Sequence, residues 1–328
     1  MHDSKRFHKA PYPGQCKIVK GNDWMIIHVL NTVLPVFAAL FIGILCRKKD
    51  ILNRSGVDAL RKLAVDITLP AVLFSAFATA DYSPRNMLVP LLIFSLCIVA
   101  LLLGYFLKNL FKCSSILMPY LMTGFEAGML GYGLFALLYP GQSSSNFAII
   151  DLGQVLFVFT LYKGLLMGKG SAKELASQAF ASPVVWAIII GMLFGITGLY
   201  SALGTSGAVS VIDKVAEFIA APTSCLILIS IGYDLEFKGI PWKRVLSYTG
   251  MRVAVMALIL ALAIFTNRHF LGGIMHEGAL VLMVILPAPY VLPIFTNAES
   301  ERTDIASTLS LMTLLSLILF SFMAAMTL

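Results

Sequence analysis

Three prolines, Pro287, Pro289 and Pro293, fall within seven residues of an apolar run that extends from Gly278 to Asn297. Each removes a backbone N–H and drives its ring against the carbonyl four residues back, so no continuous helix crosses this stretch. In hydrocarbon an unpaired amide or carbonyl costs several kcal/mol, and interrupted backbone survives there only where protein buries it or where it lines a wet cavity. Leu286-Pro287-Ala288-Pro289-Tyr290-Val291-Leu292-Pro293 is therefore expected to be a break that binds something. The plainer alternative is a kink that neighbouring helices satisfy without a ligand.

The rest of the chain supplies the hydrocarbon context. Of 328 residues 59% are apolar and 12% charged, and the mean hydropathy is +0.87. That lies far outside soluble composition and predicts an all-α polytopic membrane protein. A helix needs about 20 apolar residues to span a bilayer. Ten runs qualify: 24–46, 63–80, 87–107, 115–139, 147–167, 183–203, 215–233, 245–266, 278–297 and 305–327.

The net charge of +7 sits in short loops, which points to the membrane surface and not to nucleic acid. Lys and Arg gather after runs 1, 3, 5, 7 and 9, as in Arg47-Lys48-Lys49 and Lys243-Arg244, whereas only Arg85, Lys214 and Arg268 follow the even runs. Basic loops face the cytoplasm, which predicts a cytoplasmic (inner) membrane protein with both termini outside. Residues 1–24 contradict that rule with Lys5, Arg6, Lys9, Lys17 and Lys20, and are read as a misassigned extension ahead of a start at Met25. Cys16, Cys46, Cys97, Cys113 and Cys225 are too scattered for a disulfide framework or a metal site and are taken as small apolar fillers.

Inside the runs, polar residues narrow the candidates. Run 4 holds Gly124, Gly128, Gly131 and Gly133 around Glu126. Glycines cost a helix roughly 1 kcal/mol each relative to alanine, so the run either unwinds there or uses small-xxx-small spacing for packing. The carboxylate of Glu126 near the bilayer centre should face a cavity or a partner. Asp151 and Gln154 share one face of run 5, where Asp151 reads equally as interfacial or functional. Lys62 and Asp66 have the i, i+4 spacing of an interfacial pair, Gly191 and Gly195 that of a packing face, and Ser307, Ser310 and Thr313 that of a polar stripe. Asp213, Lys214 and Glu217 read as a solvated rim ahead of a break at Ala221-Pro222. Arg252 is placed shallow enough to snorkel to the cytoplasm.

The two halves correspond. Counted from Met25 and Ser182, the prolines that bend the second runs fall at 45 and 40 residues, Pro70 and Pro222, and the disrupted fourth runs at 99–108 and 105–111. A unit of five spans is odd, so its second copy enters from the opposite side. Residues 25–167 and 182–328 are thus expected to be two inverted five-helix repeats in a single membrane domain.

Leu34-Pro35-Val36-Phe37 with Gly43, Asp50-Ile51-Leu52, Leu69-Pro70-Ala71-Val72-Leu73-Phe74, the glycine-rich fourth run, Asp151-Leu152-Gly153-Gln154, and Leu286-Pro287 followed by Ala306-Ser307-Thr308-Leu309-Ser310 resemble the auxin efflux carrier family in its bacterial branch of malate and malonate permease-like transporters. The resemblance covers nearly all of residues 25–328. It implies a ten-helix fold like that of sodium/proton antiporters, with broken helices 4 and 9 crossing, and a scaffold of helices 1, 2, 6 and 7 that often forms a homodimer. Plant members carry Asn and a later Pro where this chain has Glu126 and Gly133.

The expected function is secondary active transport of a small organic anion, a dicarboxylate or auxin-like carboxylate, by alternating access. Gly124, Glu126, Gly128, Gly131, Pro287, Ala288, Pro289, Tyr290 and Pro293 are expected to bind substrate, and Glu126, Asp151 and Gln154 to couple H⁺ or Na⁺. No catalytic residue, metal or other cofactor is expected. The alternatives are an intramembrane enzyme, or a passive channel or ligand sensor on a transporter frame. Against the enzyme, the chain has no H-E-x-x-H or G-x-S-x-G, and Gly164 to Ser171 only imitates a P-loop.

Overall fold

A computed structural model describes residues 21–167, 177, 180–204, 207–235, 240–290, 292 and 301–326. The basic leader at 1–20 and Pro293 lie outside the described residues. Among those described there is no strand.

Helix α1 (Gly21–Lys48) ends on Arg47 and Lys48, and α2 (Arg54–Leu63) starts where Asn53 Oδ1 accepts the Gly56 amide at 2.8 Å. A π-helical turn, Ala64–Thr68, then runs straight into α3 (Leu69–Ala78). Pro70 cannot donate to the carbonyl four residues back, and the ladder widens: Leu69 N–H reaches back to Ala64 O. The extra residue changes the helical phase, and Lys62 and Asp66 do not form the expected pair among the described ion pairs.

Next come α4 (Leu88–Leu110), the single turn α5 (Met118–Leu121), a π turn at Ala127–Gly131 leading into α6 (Tyr132–Leu138), and α7 (Ser145–Phe157), which continues through another π turn, Val158–Tyr162, to α8 (Lys163–Met167). The second half follows as α9 (Pro183–Ile196), α10 (Leu199–Gly204), α11 (Ala208–Ala220), α12 (Thr223–Asp234), α13 (Trp242–His269), α14 (Glu277–Ile285) and α15 (Arg302–Met326).

Six segments of the described residues are long and apolar enough to cross a membrane: Leu30–Lys48, Leu88–Leu110, Ser145–Leu166, Val209–Asp234, Trp242–His269 and Asp304–Met326. The chain is a multi-pass membrane protein. The remaining apolar runs fall on interrupted helices: the π turn before Pro70, the open backbone before Ala127, the turn at Thr197-Gly198 and the end of α14 before Pro287. Leu34, Phe41, Leu91, Leu102, Phe106, Phe265 and Phe322 stand exposed, as a lipid-facing wall requires.

Helix α1 lies against α12 at near backbone contact. A Cβ on Gly43 would sit 2.1 Å from Ile229 O, and one on Gly232 would sit 2.1 Å from Leu40 O; only glycine permits this approach. Gly191 and Gly195 likewise bring α9 close to Phe74, Phe77 and Tyr82, with a Cβ on them 2.8 Å from Phe74 O and 2.4 Å from the Tyr82 ring, respectively, so that face is used for packing.

The basic end of the bundle is tied by charge. Asp234 at the end of α12 takes Arg54 Nη1 at 2.6 Å and also Arg61, Arg47 Nη2 donates to Leu235 O at 2.5 Å, and Arg244 pairs with Asp304. Glu301 accepts the Ser115 hydroxyl and the Ile116 amide. At the opposite end Arg85 Nη2 donates to Leu271 O at 2.8 Å, and Arg268 holds Glu277 through two contacts of 2.7 Å. Exposed pairs of this last kind add little to stability, because solvent screens them.

Candidate functional site

The core centres on the two interruptions. After α5 the backbone leaves the helix, and Gly124 takes φ +66°, a left-handed conformation that side chains disfavour. A Cβ there would also lie 2.8 Å from Pro289 Cγ. Two residues on, the Glu126 amide donates to Pro287 O at 3.0 Å. In return, Glu126 Oε2 accepts the Tyr290 amide at 2.6 Å, and Oε1 accepts the Met129 amide at 3.2 Å. Glu126 thus caps the helical segment that starts at Ala127 and staples it to the chain beyond α14.

This arrangement is what a membrane interior demands. A helix start exposes amides with no partner, and the carboxylate satisfies one of them while the positive end of the helix stabilises its charge. Pro287 and Pro289 remove two further donors from backbone that could not have paired them. Ala288 is fully buried. Gly128 lies in the π turn, and Gly131 is held between Phe147 and Leu286.

Arg252 corrects the sequence reading. It is 4% exposed and does not snorkel: Nη1 donates to Leu121 O at 2.6 Å, and Nη2 to Gly124 O at 2.8 Å and Leu286 O at 3.0 Å. The guanidinium therefore joins carbonyls released by both interruptions. It lies further into the helix than the apolar run alone implies, because α13 begins at Trp242, ahead of the purely apolar residues. Ten residues of helix carry Arg252 roughly 15 Å from that start. A cation at such depth is held by acceptors, and the broken backbone supplies them. An unpaired basic residue between two predicted breaks was the available signal.

A second polar group stands behind the first. Gln154 Nε2 donates to Phe125 O at 3.0 Å and to Asp151 Oδ1 at 3.2 Å, and the Tyr132 hydroxyl donates to Asp151 Oδ2 at 3.1 Å. Asp151 is 1% exposed and faces the interior of the bundle. Gln154 Oε1 is buried with no hydrogen-bond partner among the described residues. On the side of α15, Tyr290 and Thr313 hydroxyls lie 2.7 Å apart, which gives one member of the expected polar stripe a role at the break. Among the described residues no three His, Cys, Asp or Glu side chains come together to hold a metal.

A cleft of about 540 Å³ reaches this centre from the end opposite the basic loops. Gly128, Met129 and Tyr132 line it at one end, Thr223 and Ser224 beside the turn of Ala221-Pro222, and Asp213 and Glu217 along α11. Of the three residues expected to form a solvated rim, Asp213 and Glu217 belong to the cleft wall and Lys214 does not, and Asp213 accepts the Tyr200 hydroxyl.

Outside the membrane spans, His276 introduces a pH dependence. Its Nδ1 accepts the Ala279 amide at 3.0 Å and caps α14, while its ring packs edge-on to Phe135 and Tyr139. Burial lowers its pKa below the usual histidine value. The lone pair used in the cap exists only on the neutral ring. A depressed folded-state pKa contributes stability above the unfolded value, about 6.5, and this is lost as pH falls through the folded one. Acidification from pH 7 to 5 should therefore lower the protection factor of the amides in the first turn of α14, taken against the intrinsic exchange rate at each pH, severalfold in the wild type. In His276→Asn, which caps without titrating, it should stay flat.

No family profile matches the chain. An uncharacterized transporter of Methanothermobacter thermautotrophicus is 22% identical over 303 residues, covering 88% of this chain and 95% of that protein. The uncharacterized transporter YfdV of Escherichia coli is 20% identical over 274 residues, 78% of this chain and 85% of that protein. The chain is similar to transporters. The similarity runs over most of its length, so it concerns the whole bundle and not one shared helix pair.

Proposed function

We propose that the chain is a secondary transporter of a small organic anion, driven by a proton and working by alternating access. The observation that carries this reading is the double use of Glu126, whose carboxylate takes one amide from each interrupted segment. The Met129 amide, at the positive start of the segment that begins at Ala127, together with the Tyr290 amide beside it, is a natural seat for a substrate carboxylate. While Glu126 is ionised it occupies them. Protonation removes its charge and turns one oxygen into a donor, which frees the amide on that oxygen and weakens the hold on the other, opening the seat to the anion. Proton and anion would then enter together, a symport. Sodium fits less well, because both carboxylate oxygens already face N–H donors.

Asp151 and Gln154 belong to the same proposal as coupling residues, since Gln154 fixes Phe125 O beside Glu126. Gly124, Gly128, Gly131, Pro287, Ala288, Pro289 and Tyr290 would shape the seat. The transporter relatives favour transport over an intramembrane enzyme. The finer picture is likewise proposed: ten spans in two inverted repeats, the auxin efflux carrier branch, an inner membrane location with the basic end cytoplasmic, and a homodimer through the first, second, sixth and seventh spans. With that orientation, the cleft faces outward, and Arg54, Arg61 and Asp234 close the inner end.

Reconstitution into proteoliposomes tests the reading. A carrier gives saturable uptake of a dicarboxylate or aromatic acid, counterflow, and acceleration by an inward proton gradient. Linear flux without counterflow would indicate a channel, and turnover of a lipid or peptide would indicate an enzyme; either result rejects the proposal.

A further inference from the structure

A second cavity, about 190 Å³, lies between α13, α14 and α15. Its walls are apolar, with Met256, Leu260, Val284 and Leu319 among them, and its rim includes Val253 and Ala257, both exposed on the lipid-facing side of α13. Three polar side chains line it: Thr249, Arg252 and Ser316. Ser316 is committed, since its hydroxyl contacts Ile285 O and Met312 O. Thr249 is not.

Helical threonines in apolar surroundings ordinarily bond the carbonyl four residues back. Thr68, Thr79, Thr160, Thr197, Thr308 and Thr313 all do so here. Thr249, 7% exposed, leaves Oγ1 buried without a partner among the described residues. Three residues further along the same helix, Arg252 spends both Nη groups on backbone carbonyls, and none of those bonds uses Nε. An unpaired hydroxyl and a cation therefore sit together in an otherwise greasy chamber that opens toward lipid. A hydrocarbon would fill the space and leave the hydroxyl unpaired. Water would pair the hydroxyl and wet the apolar walls. A carboxyl group on a short apolar body does both jobs, because its two oxygens accept from two donors and its charge suits a guanidinium.

We propose that this cavity binds the carboxyl head and first carbons of a membrane-soluble carboxylic acid, about six heavy groups at roughly 30 Å³ each, with the rest of its apolar body reaching past the exposed rim into the bilayer. The head lies at Thr249 and Arg252, and the body lies between α13 and α15. Such a ligand enters from the bilayer, at a site separate from the cleft, and need not be the transported substrate. It rests on the guanidinium and on Leu286, which also hold the crossing, so occupancy is positioned to bias that crossing.

Binding alone tests this, whatever the chain transports. The full-length protein in lipid nanodiscs is photolabelled with a diazirine-bearing octanoic acid, and adducts are mapped by mass spectrometry. Adducts are expected on α13, α14 and α15 around the cavity, displaced by unlabelled octanoic acid and not by octane. Thr249→Val should weaken that displacement about fivefold, the worth of one hydrogen bond. Ala257→Phe, which fills the chamber from its exposed rim, should remove the adducts at an unchanged melting temperature. Adducts spread evenly over lipid-facing helices, or indifferent to Ala257→Phe, would mean simple partition into lipid and overturn the proposal. So would displacement by octane as strong as by the acid, which marks a site for lipid tails, or displacement unaltered in Thr249→Val.

Discussion

Arg252→Met should be strongly destabilising, costing about 3 kcal/mol or more in unfolding from detergent micelles, at about 1–3 kcal/mol for each buried carbonyl left without a donor. The methionine fills much of the arginine's space and removes every donor. Leu121 O, Gly124 O and Leu286 O then lose the hydrogen bonds that pair them, in surroundings where water is scarce. Arg252→Lys separates charge from geometry: an ammonium is a point donor and cannot fork across two interrupted segments. It should recover part of the loss, placing stability in the order wild type, Lys, Met. A melting temperature for Arg252→Met equal to that of the wild type would show that the guanidinium is not a strut.

The same arginine marks where reading the sequence stopped short. Proline and glycine report a break directly, because each acts on its own backbone; Pro287, Pro289 and Gly124 could be found without neighbours. What satisfies a break comes from elsewhere in the chain. Arg252 lies 128 residues from Gly124 and 34 from Leu286, and no local pattern announces such a partner. Pro70 illustrates a milder limit. The residue type predicts a bend, but whether helix continuity is restored by a kink or by a π turn depends on the packing of α9 against α3, which periodicity does not carry. Asp151 shows the third kind: distance along a run gave its height in the membrane and not which way it faced, and Tyr132 and Gln154 decided that.

Glu126→Gln is expected to abolish acceleration of uptake by a proton gradient and to lower flux at neutral pH by tenfold or more, roughly the loss of one charge-assisted hydrogen bond. The substitution keeps size and shape and discards titration. One amide oxygen can still accept from Met129 or Tyr290, but the NH₂ group then faces the other backbone N–H, donor against donor. Glu126→Asp retains the proton while shortening the reach to Tyr290 N, now 2.6 Å. It should keep the pH dependence with slower transport. The two variants therefore split coupling from geometry: Gln loses the response to pH, and Asp keeps it. If both carried substrate at wild-type rates from pH 5 to pH 8, the carboxylate would be only a helix cap, and the coupling proton would have to be sought at Asp151.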